Sequence, residues 1–185
     1  MLENILFALW FFAPAGAANV MPIFVAKVPP LSKYDAPIDG GLMFRGQRVL
    51  GSHKTWRGLI AGIITSTLAL WLQQLLVVHF GWFAKFEHQV DYATLPILLA
   101  GPLFGIGALG GDALKSFFKR QLHIAPGKSW FPFDQIDYIV GGAIATMPFV
   151  SLIWWQYAWI LVVWLVIHVA STITGYFLGL KDSPV

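Results

Sequence analysis

Apolar residues run through this chain in long blocks rather than in alternation. The first block, about residues 4–26, carries MLENILFALWFFAPAGAANV at its start, with Glu3 as its only early charge. Further blocks fall at about 57–79, 95–117, 136–156 and 158–179. Each reaches the ~20 residues a helix needs to cross a hydrocarbon core of ~30 Å. The pattern predicts an all-α integral membrane protein with about five transmembrane helices, in a single domain over residues 1–185. The last two blocks are nearly continuous. Gln156 and Tyr157, set among tryptophans, suit an interfacial turn between them. The first block lacks the positive n-region of a signal peptide and reads as a retained span.

Composition sharpens this. Of the 185 residues, 57% are hydrophobic and only 11% charged, against about 25% charged in an ordinary soluble domain. The mean hydropathy is +0.69. With no cysteine, disulfides, thiolate nucleophiles and Cys-based metal sites are excluded. The pI near 9.3 reflects loop charge rather than nucleic-acid binding. Lys27, Lys33, Arg45, Arg48, Lys54 and Arg57 lie between blocks one and two. Lys115, Lys119, Arg120 and Lys128 lie at or beyond the end of block three, and Lys181 follows block five. Lys85 alone lies between blocks two and three. The positive-inside rule makes the Lys/Arg-rich side cytoplasmic, with the amino terminus outside and the carboxyl terminus inside. Small residues four apart, such as Gly58/Gly62, Gly101/Gly105 and Gly141/Ala145, predict close helix packing.

One stretch breaks the apolar pattern. Residues 111–137, GDALKSFFKRQLHIAPGKSWFPFDQID, hold three aspartates, three lysines and an arginine. If block three is helical to its end, Asp112, Lys115, Ser116 and Lys119 share one face. Local ion pairs explain part of that face. They do not explain an aspartate beside Gly110–Gly111 at bilayer depth, where an ionisable group is costly and points to function. Asp134 and Asp137 open block four, where an N-cap and a helix-dipole role are available to them. The short loop returns both to the level of Asp112. Three converging carboxylates repel one another, and a divalent cation resolves the repulsion. An all-oxygen ligand set favours Mg²⁺ over zinc, so Asp112, Asp134 and Asp137 are the expected metal ligands. Lys119, Arg120 and Lys128 lie near enough to meet a polyphosphate. No GxxxxGK[ST] sequence is present, so the site is not a P-loop.

The loop between blocks one and two adds a second cluster. RGQR predicts a small hairpin. Lys54 and Arg57, in GSHKTWRG, stand at the cytoplasmic end of block two as anchors or as anion ligands. Asp39 beside Gly40–Gly41 reads as a turn aspartate, and Asn19 as a buried amide that needs partners. His53, His79, His88 and His123 show no ligand spacing, and Trp154, Trp155, Trp159 and Trp164 suit interfacial or lipid-facing positions.

GDALKSFFKR followed by APGKSWFPFDQID resembles the signature of the CDP-archaeol synthase family. It is more distantly similar to the phosphatidate cytidylyltransferase signature S-x-x-K-R, glycine-rich loop, D-R-x-D. The matching positions are Ser116, Lys119, Arg120, Asp134 and Asp137. PIDGG, GSHKTWRG and AANVMP resemble the family's upstream segments, so the likeness runs from about residue 13 to 142. There are departures. Gln135 stands in place of the arginine, the distant family's K-D pair after K-R is missing, and Ser52 stands where many relatives carry an acid.

The resemblance implies a membrane-embedded transfer of CMP from CTP to a lipid-linked glycerol phosphate. The products are a CDP-lipid and pyrophosphate, the cofactor Mg²⁺ and the location the cytoplasmic membrane. The acceptor is an isoprenoid or acyl glycerol phosphate. The implied catalytic set is Asp112, Lys119, Asp134 and Asp137. The implied nucleotide-binding set is Asn19, Asp39, Lys54, Thr55, Arg57, Ser116, Arg120, Gly127 and Lys128. The acceptor's phosphate monoester, with a second pKa of about 6, is largely ionised at neutral pH. It needs no strong base, which agrees with a sequence lacking a Ser–His or Cys–His arrangement. The site is expected to open to the cytoplasm for CTP and laterally to the bilayer for the lipid tails. Two other classes remain at this stage. One is a small transporter with Asp112 and His168 marking a pathway. The other is a noncatalytic lipid-binding protein whose basic loops meet anionic lipid.

Overall fold

Each apolar block begins a helix close to where the pattern predicts one. The computed structural model describes residues 1–86, 90–125 and 128–177. The long helices are α1 (Leu2–Lys27), α3 (Trp56–His79), α4 (Ile97–Gln121) and α6 (Trp154–Phe177), with α2 (Pro29–Ser32) a single turn after α1. Those four are long and apolar enough to cross a membrane. Besides a short 3-10 helix at Gly81–Phe86, the described residues hold α5 (Phe133–Thr146), which has 14 residues and spans about 21 Å at ~1.5 Å per residue, short of the ~30 Å core.

The expected fourth block therefore divides differently. Helix α5 stops at Thr146 rather than near 156, and residues 147–153 are not helical. Pro148 accounts for this, because proline lacks the N–H that would continue the ladder and disfavours helix in the residue before it. Gln156 is not in a turn. Its Oε1 accepts the Ile153 N–H at 3.1 Å from the first turn of α6, the reciprocal half of a capping box.

Helix packing follows the small residues. A side-chain carbon on Gly107 or Gly141 would run into the facing helix, and Gly111 lies against the backbone of Asp137 and Gly141. Since Gly107 meets Ala145 and Gly111 meets Asp137, α4 and α5 run antiparallel. Gly101 and Gly105 meet Thr67, Ser66 and Ile63, which sets α3 antiparallel to α4 in the same way. Between apolar helices in lipid, such close approach and the hydrogen bonds it permits replace the hydrophobic driving force. Ser66 donates to the Gly101 carbonyl at 2.7 Å. The Gln73 amide donates to the Trp10 carbonyl.

The centre of the bundle is aromatic. Phe11 lies edge-on to Phe104 with centroids 5.4 Å apart, and Phe12 does the same against Trp164 at 5.7 Å. Trp164 is not lipid-facing as expected: its indole N–H donates to the Ala8 carbonyl at 2.8 Å and its ring fills the space over Gly16. Trp154 and Trp155 are exposed, in keeping with an interfacial position.

The loop after α2 forms the predicted hairpin. Strands β1 (Met43–Phe44) and β2 (Gln47–Arg48) pair antiparallel, and the turn places Arg45 at φ 51° and Gly46 at φ 78°. Positive φ at both central residues is what a two-residue type I′ turn requires.

Candidate active site

The polar residues gather at the end of the bundle where α1, α3, α4 and α5 meet the hairpin loop. The loop is locked by Asp39, which is almost fully buried. Its carboxylate pairs with Arg48 and accepts the N–H groups of Gly41, Leu50 and Gly51 at 3.0–3.1 Å. Burial alone would push this carboxyl up, but the guanidinium and the three amides outweigh it and hold Asp39 well below the usual carboxylate range. The loop's return leg is tied at Ile38, whose N–H donates to the Lys54 carbonyl at 2.7 Å, and at Trp56, which donates to Ala36 at 3.0 Å. Phe44 packs on Phe117 of α4. Lys54 is thus delivered from a fixed backbone to α4, where its ammonium pairs with Asp112.

Thr55 caps α3, accepting the Gly58 N–H at 3.2 Å. Arg57, two residues further on, donates to the Leu31 and Ser32 carbonyls at 2.8 and 2.7 Å, so it also fixes the chain that leaves α1.

The three aspartates do converge. The centre they share is taken by Lys115: its Nζ lies 3.1 Å from Asp112, 2.9 Å from Asp134 and 2.9 Å from Asp137. Lys119, buried beneath, holds both oxygens of Asp134 at 2.9–3.0 Å and donates to the Lys128 carbonyl at 2.6 Å. Asp134 also accepts the Trp130 N–H at 2.6 Å. The helix cap expected of Asp134 falls instead on Pro132.

The mutual repulsion that argued for a metal is thus relieved by Lys54, Lys115 and Lys119. Among the described residues no three acidic or histidine side chains stand ready as a metal cage. The donor chemistry nevertheless suits one. Three carboxylates from two helices directed at one point are the ligands a hard divalent cation takes. Their present spacing, 2.9–3.1 Å to Lys115 Nζ, is that of an ammonium ion rather than the ~2.1 Å of Mg²⁺–oxygen bonds.

A cavity of about 640 Å³ opens above the cluster, within the ~300–1,000 Å³ range of small-molecule sites. Of the expected residues it is lined by Asn19, Lys54, Thr55, Arg57, Asp112, Asp134 and Asp137. It also includes Asp35, Ser52, His53, Lys115 and His168, which sequence reasoning left out of the site. For Lys115 the signal was present, since it shares a helical face with Asp112. His168 on α6 stood out in the sequence only as an intramembrane ionisable residue of the transporter reading; it packs against Tyr138, at 5.6 Å between centroids, and lines this cavity. Asp39, Ser116, Lys119, Arg120 and Lys128 do not line this cavity. Ser116 donates to the Asp112 carbonyl at 2.9 Å within its own helix, and Lys128 is exposed. Gly127 lies outside the described residues.

A second opening runs along α4 and α5. This groove, about 340 Å³, is walled by Leu114, Phe118, Trp130, Phe133, Ile136, Val140 and Ile144, with Lys115 and Asp137 part-way along it. The same two residues line the large cavity, so the charged cluster stands where a polar chamber meets an apolar slot.

Helices this apolar around a chamber this charged belong to a multi-pass membrane protein that handles anionic substrate inside its own bundle. Comparison with known proteins makes the class specific. The family model described as CarS-like, CDP-archaeol synthase, matches residues 1–185. A CDP-archaeol synthase of Thermococcus onnurineus is 32% identical over 99% of this chain and 98% of the relative. One of Methanocaldococcus jannaschii is 34% identical over 98% of each. A solved intramembrane enzyme for archaeal membrane lipid biosynthesis superposes with a TM-score of 0.71 at 25% identity, covering 90% of this chain and 92% of that one. The chain belongs to the CDP-archaeol synthase family. It is a membrane enzyme of the CTP-dependent cytidylyltransferase class, forming a CDP-lipid from CTP and a lipid phosphate.

Proposed function

We propose that this chain, acting as one catalytic unit in the cytoplasmic membrane, transfers CMP from CTP to an isoprenoid diether glycerol phosphate, with Mg²⁺ as cofactor. The observation that carries the proposal is the junction at Lys115 and Asp137, where the charged chamber and the apolar α4–α5 groove share a wall. A water-soluble triphosphate and a membrane-held phosphate can meet there.

In this reading a phosphate oxygen of the lipid attacks the α-phosphorus of CTP. The bond between that phosphorus and the α–β bridging oxygen breaks, and pyrophosphate leaves with the bond's electron pair. The nucleophile is already ionised, so the protein has to overcome repulsion between two anions. Lys54 and Arg57 line the chamber and meet the triphosphate, with Thr55 and Asn19 available for neutral hydrogen bonds. Asp112, Asp134 and Asp137 would hold Mg²⁺, which when bound neutralises phosphate oxygens and the leaving pyrophosphate. Lys119 is a positioning residue, since it grips Asp134 from beneath. Asp39 acts through the loop that aims Lys54. Arg120, in the last turn of α4, and Lys128 beyond it are assigned to the outgoing pyrophosphate. The lipid tails lie in the groove, with the chamber facing the cytoplasm.

The test uses purified protein in detergent with labelled CTP, Mg²⁺ and two acceptors, geranylgeranyl diether glycerol phosphate and diacylglycerol phosphate. CDP-lipid should form from the diether and stop with EDTA. Product only from the diacyl lipid would overturn the acceptor assignment, and product that survives EDTA would overturn the metal assignment.

A further inference from the structure

Lys115 touches all three aspartates of the site at 2.9–3.1 Å. An ammonium has three N–H donors, and here its charge is shared among three different carboxylates. The lysine therefore occupies the point where an ion shared by those carboxylates would sit. With Lys54 on Asp112 and Lys119 on Asp134, three positive charges balance three negative ones. A divalent ion cannot join this arrangement. It needs the carboxylates at ~2.1 Å, and it would face an ammonium in the same small space.

Lys115 also has a second place to point. It lines the α4–α5 groove as well as the chamber, and a four-carbon stem gives its ammonium reach on either side. We propose that Lys115 is an exchangeable resident cation: it fills the aspartate site at rest, a divalent metal displaces it, and the displaced ammonium receives the acceptor phosphate on the groove side. This rests on the reading of Asp112, Asp134 and Asp137 as metal ligands. It makes acceptor binding depend on prior loading of the metal, because until then the ammonium is held by three carboxylates.

The experiment measures Mn²⁺ binding to nucleotide-free protein in detergent by electron paramagnetic resonance. Removing a competing occupant raises apparent affinity by the fraction of sites it had blocked, so Lys115→Met should bind Mn²⁺ about tenfold or more tightly than the unaltered protein. Damage to the fold would move the affinity the other way. In parallel, acetylation of the unaltered protein, read by mass spectrometry, should label Lys115 more when Mg²⁺ is added. This arm holds even if the variant fails to fold. Mn²⁺ binding that Asp137→Asn abolishes, with no tightening in Lys115→Met or no gain in Lys115 labelling, would overturn the exchange and leave the metal reading standing. Absence of Mn²⁺ binding in every form would overturn both.

Discussion

Asp112 is the aspartate that meets both charged segments of the chain. It sits on α4 between Lys54 from the loop and Lys115 from its own helix, linking the two charged segments. Asp112→Asn keeps the shape and one acceptor oxygen but removes the charge. Turnover should fall by about 10²-fold or more while the protein still elutes as a single species in detergent, and turnover within twofold of the unaltered enzyme would end the catalytic assignment. That Asp112, Asp134 and Asp137 belong together was readable from helical periodicity and a short connecting loop. That a lysine stands among them was not. Pattern places Lys115 on the correct face, but whether it pairs along its helix or reaches across to Asp134 and Asp137 depends on how closely α4 and α5 approach.

At the scale of the element, the hairpin loop shows how a charge can matter without touching substrate. Asp39 ties Arg48 to three backbone amides, and the loop so formed delivers Lys54. Asp39→Asn should cost about 1–3 kcal/mol at neutral pH, the range for leaving buried hydrogen-bond partners poorly matched. Its folded-state carboxyl is held below the ordinary range, so its contribution is fully present above the unfolded pKa of ~3.9 and is lost as pH falls beneath it. Thermal unfolding of the two proteins should converge on acidification below about pH 4. A gap that stays constant from pH 7 to pH 3 would show that the charge is not what holds the loop. The glycine after Asp39 and the RGQR turn were legible as turn chemistry. The convergence of Leu50 and Gly51 on the same carboxylate was not, since they lie eleven and twelve positions along the chain from it, on the far side of the hairpin. The end of α5 was legible and was missed: Pro148 marks it, but the apolar block running through it outweighed the proline.

Across the whole molecule, two compartments of opposite character meet at Lys115 and Asp137. If the groove holds the lipid, filling it should weaken the acceptor and spare the nucleotide. Val140→Trp, on the groove wall, should raise KM for the lipid phosphate about tenfold, ~1.4 kcal/mol, with kcat and CTP binding little changed. An equal loss of CTP affinity would mean that the substitution disturbs the bundle rather than the slot. By itself the sequence determined the membrane class, the positions of the long helices and the convergence of Asp112, Asp134 and Asp137. Hydrophobic run length and helical period are local properties of the chain. The tertiary structure decided how the charges are partnered, that α5 is short, that Trp164 turns inward and His168 joins the cavity, and that a slot opens beside the cluster. Those outcomes depend on how closely helices pack at Gly107, Gly111 and Gly141, and that distance is a property of two surfaces in contact.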